Sequence, residues 1–147
     1  MTSTGPLVLL VEDDTNDVLL VRRAFRRAGL DARIEVAPDG EAAVAFLTRA
    51  LTATAPGLVL LDLKLPRLPG LDVLGWLRRQ PGLRRLPVVV LTSSRERSDV
   101  DRAYDLGANS FLVKPVGFAE LLEMVKALDL YWLRMNEAPE LGSELLP

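Results

Sequence analysis

The chain has 147 residues, the size of one domain, and its net charge of −2 gives no reason to expect nucleic acid or an anionic membrane as a partner. It contains no cysteine and no histidine, which excludes disulfides, thiolate metal sites, thiol nucleophiles and a histidine general base. Any chemistry must therefore come from carboxylates, lysines and hydroxyls, which suit magnesium and phosphate.

The first residues, MTSTGP, lack the basic and apolar regions of a signal peptide. No apolar run approaches the roughly 18 residues of a membrane span. We therefore expect a cytoplasmic protein whose residues 1–6 are disordered, with neither a membrane nor nucleic acid among its partners.

Five short apolar runs predict β-strands. The first, third and fourth are continuously apolar, which indicates strands that are covered on both faces of a parallel sheet. In chain order the runs are Leu7–Val11, Arg33–Ala37, Leu58–Leu61, Pro87–Leu91 and Ser110–Val113.

Segments with helical spacing separate these runs. The first follows Asp14-Thr15, which can cap its amino end, and it stops at Gly29. The alternation of strand and helix predicts one α/β domain over residues 7–128, with a five-stranded parallel sheet and helices on both faces. The other helical segments are Glu41–Ala50, Leu71–Leu77, Val100–Tyr104 and Phe118–Leu128.

Polar groups follow four of the five predicted strands. In an open α/β sheet ligands bind at the carboxyl ends of the strands, so these groups would converge on one edge. Each group also has an ordinary structural explanation. Acids can simply begin a polar loop after a strand, hydroxyls can cap a helix, and a lysine side chain can simply be solvated. Their joint occurrence favours a site for phosphate and a metal ion. The groups are Glu12-Asp13-Asp14, Asp62, Thr92-Ser93-Ser94 and Lys114.

The clustered acids predict a magnesium site. Neighbouring carboxylates repel one another and raise each other's pKa, and a divalent cation relieves that repulsion. We expect Asp13 and Asp62 each to supply an oxygen, and Glu12 to act directly or through water. The backbone carbonyl of Lys64 is a further candidate ligand.

The motifs LVLLVEDD, LVLLDLKLPRLPG, VVVLTSS and GANSFLVKP resemble those of response-regulator receiver domains of two-component signalling. The resemblance covers roughly Leu7 to Leu128. It implies a flavodoxin-like fold with strand order 2-1-3-4-5, and Mg²⁺ as cofactor.

The same resemblance implies a role for each motif residue. Asp62 matches the phosphoacceptor, Asp13 the direct magnesium ligand and Glu12 its acidic neighbour. Thr92 and Phe111 match the switch hydroxyl and the switch aromatic residue. Lys114 matches the catalytic lysine, which is usually joined by a cis bond to the next residue, here Pro115.

These roles imply a phosphoacceptor that signals through altered protein contacts, rather than an enzyme, with a sensor histidine kinase as donor. A chain without histidine needs another protein or domain, or a small acyl phosphate, as its donor. Three alternatives stay open. They are a phosphate sink or shuttle in a phosphorelay, an aspartate-nucleophile phosphatase, whose second acid would be replaced by Lys64, and a receiver that is never phosphorylated.

Residues 129–147 are too few for an output domain, so we expect a helical extension and a frayed tail. Its apolar side chains predict a homodimer interface, although the last helix could instead run on and fold back on its own domain. These side chains are Tyr131, Trp132 and Leu133. With the motif YDLGANSFLVKPV, the extension resembles receivers that serve bacterial phytochromes, which implies a phytochrome-type kinase and a dimer. The downstream partner is unknown.

Overall fold

The apolar runs form a single parallel sheet in a computed structural model that describes residues 5–141. The strand order is β2-β1-β3-β4-β5, as predicted. The strands are β1 (Leu7–Val11), β2 (Arg33–Ala37), β3 (Leu58–Leu61), β4 (Val88–Thr92) and β5 (Ser110–Val113). The three central strands are buried along their whole length, because helices cover both faces.

Four α-helices connect the strands, a fifth follows β5, and all five pack on the sheet. α1 begins after Asp14, whose side chain accepts the backbone N–H groups of Asn16 and Asp17, and α1 ends before Gly29, which has a φ of 71°. The helices are α1 (Thr15–Arg27), α2 (Gly40–Ala50), α3 (Gly70–Arg79), α4 (Arg97–Asp105) and α5 (Phe118–Leu128). No helix within residues 5–141 is long and apolar enough to cross a membrane.

The core has two main layers because successive side chains of a strand point to opposite faces. Leu9 and Val11 of β1 pack with α2 and α3, whereas Val8 and Leu10 pack with α1 and α5. A smaller cluster lies under α4, where Ala103 meets β4 and β5. The helices thus cover the sheet while the carboxyl ends of its strands stay accessible.

The structure places two of the six amino-terminal residues that we expected to be disordered. Gly5 is buried, and its carbonyl oxygen accepts a hydrogen bond from the Arg33 side chain. The backbone N–H of Arg33 donates to the carbonyl of Pro6. Gly5 and Pro6 are therefore ordered against β2, because they continue the pairing of β1. Residues 1–4 lie outside the described part of the chain.

α5 continues as a π-helix over Asp129–Met135. The backbone N–H of Asn136 bonds to the carbonyl of Tyr131, five residues earlier. Trp132 and Leu133 pack against the α1/α5 layer of their own domain, while Tyr131 is 53% exposed. The alternative in which the last helix folds back thus describes two of the three residues expected at an interface.

Charged groups fasten this extension to the domain. Arg134 donates to Asp129, which is buried, and to Asp31 in the loop before β2. Farther along, Leu141 packs against the α2/α3 layer and the Arg85 side chain donates to the carbonyl of Glu140. The tail that we expected to fray therefore contacts the domain as far as Leu141, and the part over residues 142–147 lies outside the described residues.

We predict that Trp132→Ala lowers the free energy of unfolding by about 2 kcal/mol, less than for a fully buried tryptophan because the ring is only partly buried. Leu130→Ala is the matched control, since Leu130 is 54% exposed and its truncation should cost no more than about 0.5 kcal/mol. Urea unfolding measures both values. Equal losses would contradict the packing of Trp132 on its own domain.

Candidate functional site

Backbone hydrogen bonds between neighbouring strands position the site residues at one edge of the sheet. Each bond extends the parallel ladder one residue beyond the end of a strand, so the residues that follow β1, β3 and β5 lie at the same edge of the sheet. The N–H groups of Glu12, Asp62 and Lys114 donate to the carbonyls of Ala37, Val11 and Thr92, at 3.0, 3.0 and 2.8 Å.

The Lys114 ammonium group is the centre of this edge. Its Nζ lies 2.5 Å from Oε1 of Glu12 and 3.0 Å from Oδ2 of Asp62, two residues that the sequence placed in the site. A third carboxylate was missed: Oδ2 of Asp17 lies 2.8 Å from the same nitrogen. The available signal was its place in the first turn of α1, whose amino end faces the edge where β1 ends.

Three carboxylates form the candidate metal centre. Glu12, Asp13 and Asp62 each offer an oxygen, and these oxygens lie within 4.8 Å of one another. Glu12 and Asp62 are buried and Asp13 is exposed. Oxygen-only donors suit a hard cation such as Mg²⁺, and the exposed side leaves space for the waters that Mg²⁺ retains. The residues present therefore fit a divalent metal ion.

The charges in this edge perturb one another strongly. The net pKa of Glu12 is raised to about 7, mainly by burial. Hydrogen bonds from Lys114 and the Asp14 backbone lower this pKa, and the Asp62 charge raises it. Burial alone would lower the pKa of Lys114, but hydrogen bonds to Asp17, Glu12 and Asp62 outweigh it, and the net pKa is raised. Lys114 is thus a fixed cation at neutral pH.

The loop after β3 holds Asp62 in place. Its Oδ1 accepts a hydrogen bond of 3.3 Å from the backbone N–H of Lys64, whose side chain is exposed. A Cβ atom at Gly70, the first residue of α3, would lie 2.1 Å from the carbonyl oxygen of Asp62. Only glycine allows α3 to approach this closely. The metal-ligand role of the Lys64 carbonyl stays a prediction.

Thr92 ends β4 and is fully buried. Its Oγ1 accepts the backbone N–H of Ser94 at 3.4 Å, and the Ser94 hydroxyl donates to Oδ2 of Asp99 in α4 at 2.5 Å. Phe111 of β5 packs in the small cluster with Ala103 of α4. Thr92 and Phe111 therefore both connect to α4, but their switch roles stay predictions.

The expected cis bond between Lys114 and Pro115 is not found. No peptide bond over residues 5–141 is cis, so this bond is trans. The trans form of a bond before proline is favoured by about 0.5–1 kcal/mol. The backbone pairing of Lys114 with Thr92 already directs its side chain to the edge of the sheet.

A profile of the response regulator receiver domain family matches residues 8–126. The chain is 42% identical over 135 residues to the probable methanogenesis regulatory protein FilR2 of Methanothrix harundinacea, covering 90% of this chain and 87% of that protein. It is 37% identical over 136 residues to the response regulator Rcp1 of Synechocystis, covering 90% of this chain and 92% of that protein. The chain therefore spans nearly the whole length of both relatives.

Solved structures agree with this assignment. The phosphorylated cyanobacterial phytochrome response regulator RcpA superimposes with a TM-score of 0.86 at 32% identity, covering 93% of this chain and 100% of that one. The Mn²⁺-bound form of Rcp1 superimposes with a TM-score of 0.81 at 36% identity, covering 91% of this chain and 99% of that one. The bacteriophytochrome response regulator AtBRR superimposes with a TM-score of 0.70 at 40% identity, covering 90% of this chain and 99% of that one.

We predict that Asp13→Asn weakens Mg²⁺ binding at least about tenfold, because it replaces a ligand carboxylate in the acidic cluster. Asp14→Asn is the matched control: it removes the same charge one residue away, and asparagine caps a helix as well as aspartate does. Calorimetric titration of both variants decides. Equal losses of affinity would show that net charge matters rather than coordination by Asp13.

Proposed function

This chain belongs to the response regulator receiver domain family, and we propose that it accepts a phosphoryl group on Asp62 from a sensor histidine kinase and signals through altered protein contacts. The observation that carries the proposal is the Lys114 ammonium group, 3.0 Å from the Asp62 carboxylate and beside the acidic cluster. A nucleophile, a fixed cation and a metal site thus share one edge. The proposed compartment is the cytoplasm, where ATP-dependent kinases act.

The transfer needs little beyond positioning and charge neutralisation. An Asp62 oxygen forms a bond to phosphorus while the bond from phosphorus to the donor's imidazole nitrogen breaks, and that nitrogen keeps the electron pair. Lys114 neutralises charge on a phosphoryl oxygen. Receiver domains bind a divalent metal ion; here Glu12, Asp13 and Asp62 would hold Mg²⁺, which would neutralise further phosphoryl charge.

Exposed apolar side chains on α1 and just after Lys114 are candidate contacts for a docking kinase. Leu19 and Leu20 of α1 are 59% and 39% exposed, and Val116, two residues after Lys114, is fully exposed. Leu20, Lys114 and Asp17 line the same small pocket. We propose that the carrier of the phosphohistidine contacts these side chains as it approaches Asp62.

The switch that we propose begins at Thr92. Charge on the phosphoryl group attracts the Thr92 hydroxyl, which now accepts the backbone N–H of Ser94. Movement of this segment would disturb the bond from Ser94 to Asp99 and the packing of Phe111 under α4. The consequence is a change in the surface formed by α4, β5 and α5.

The other functions are less well supported. An aspartate-nucleophile phosphatase needs a second acid two residues after the nucleophile, where this chain has Lys64 with an exposed side chain. A receiver that is never phosphorylated would be expected to lose one of the site residues, and none is lost. A phosphate sink or shuttle uses the same site and differs only in its partners. A phytochrome-type kinase is supported by the likeness to RcpA and AtBRR.

We predict that Asp62→Asn abolishes phosphorylation by acetyl phosphate and Mg²⁺ because it removes the nucleophile, while the fold persists. The measurement is intact-mass spectrometry, with circular dichroism to check folding. Asp101→Asn, a surface acid paired with Arg97 on α4, is the control and should be phosphorylated normally. An adduct on Asp13 or Asp14 in the wild-type protein would refute the assignment.

A second copy of the chain is the proposed occupant of a groove between β5 and α5. The groove combines an apolar floor with exposed Ala127 and Tyr131, and Glu120 and Glu123 line its polar side. A two-fold interface uses the same patch on both subunits, so a self-complementary apolar groove with a polar rim suits it. The floor is formed by Leu112, Met124, Leu128 and Trp132.

We predict a homodimer at micromolar concentrations that Ala127→Glu converts to monomer, because the new charge lies in the groove. Leu19→Glu on α1 is the control for adding a charge at an exposed position elsewhere. Light scattering and sedimentation measure the mass of each variant with and without acetyl phosphate. A wild-type monomer under both conditions would end this proposal.

A further inference from the structure

The Lys114 ammonium group uses its three N–H donors on three carboxylates. Two of these, on Glu12 and Asp62, belong to the proposed metal and acceptor site. The third carboxylate, that of Asp17, lies in the first turn of α1 and is 97 residues from Lys114 along the chain. Asp17 thus binds the cation that the phosphoryl group needs, without belonging to the acidic cluster itself.

The backbone of Asp17 is fixed by the amino-terminal cap of α1. Its backbone N–H donates to the Asp14 side chain at 3.2 Å within the cap of α1. A negative charge in the first turn is also favoured by the helix dipole. Its side chain is 35% exposed, so its ion pair with Lys114 is only partly screened by solvent.

Lys114 has to change partners when Asp62 is phosphorylated. A pocket of about 40 Å³ opens beside its side chain, with Asp17 and Glu12 among its lining residues. Once Asp62 carries a phosphoryl group, the negative charge lies on phosphoryl oxygens, farther out than the original carboxylate. The ammonium group must follow that charge, and its contact with Asp17 resists the movement.

We propose that Asp17 is a positioning residue that competes with the phosphoryl group for Lys114 and so favours the unphosphorylated state. This inference rests on the proposed function of Asp62. It does not assign Asp17 a contact with the phosphoryl group or the metal ion. Asp17 sets how readily Lys114 leaves its resting position, and hence how fast the chain is phosphorylated.

The kinetic test compares Asp17→Asn with Asp14→Asn in the full chain, using acetyl phosphate and Mg²⁺. Both changes remove one negative charge from the start of α1, but only Asp17 contacts Lys114. We expect phosphorylation about three- to tenfold faster for Asp17→Asn, the effect of losing one partly exposed ion pair, and within about twofold of wild type for Asp14→Asn. Equal rates for the two variants, or a slower Asp17→Asn, would overturn the proposal.

A spectroscopic readout tests the contact without phosphorylation. The chain has only three lysines, Lys64, Lys114 and Lys126, so lysine-selective ¹⁵N and ¹³C labelling gives few side-chain signals. We expect Asp17→Asn, but not Asp14→Asn, to shift the Lys114 signal and to speed exchange of its ammonium protons. An unmoved Lys114 signal would refute the role of Asp17, whereas wild-type protein that takes up no phosphoryl group would refute the proposed function instead. Thermal unfolding verifies that each variant is folded.

Discussion

One lysine ammonium group among three carboxylates is the interaction on which this structure depends. Glu12, Asp62 and Lys114 directly follow β1, β3 and β5, and Asp17 belongs to α1. Acids gathered at a largely buried edge repel one another unless a cation lies between them. The parallel sheet brings the acids together, and the lysine from its last strand makes their proximity tolerable. Fold and charge pattern therefore require each other.

Much of this arrangement could be predicted because parallel strands impose simple rules. Continuous apolar runs give the strands to within a residue, and polar groups at strand ends must meet at one edge. Asp17 escaped prediction because an acid in the first turn of a helix is already explained by the helix dipole. Only its proximity to Lys114 in the folded chain separates the two explanations.

A helical carboxyl-terminal extension was expected, but its packing could not be predicted, for a different reason. An aromatic and apolar segment such as Tyr131-Trp132-Leu133 can cover its own domain or a partner, and composition does not distinguish these outcomes. Packing divides the segment: Trp132 and Leu133 face the domain and Tyr131 remains half-exposed. The π-helical geometry from Asp129 to Met135 depends on tertiary contacts that a local pattern cannot contain.

The two ends of α4 are held very differently. Near its start, a hydrogen bond from Ser94 to Asp99 connects it to the segment after Thr92. Near its end, Arg78 of α3 donates to the carbonyls of Gly107 and Leu86, fastening the loop that leads into β5. A disturbance at Thr92 would therefore reach the start of α4 first, through the bond between Ser94 and Asp99.

The path of the chain after α5 also determines how further protein could be attached. Trp132 belongs to the α1/α5 layer, Leu133 packs beside Gly57 just before β3, and Leu141 belongs to the α2/α3 layer. The backbone thus crosses beneath the amino ends of the strands, at the end of the sheet opposite Asp62. A module fused directly at Leu141 would therefore start beside the α2/α3 layer, and not at the end of α5.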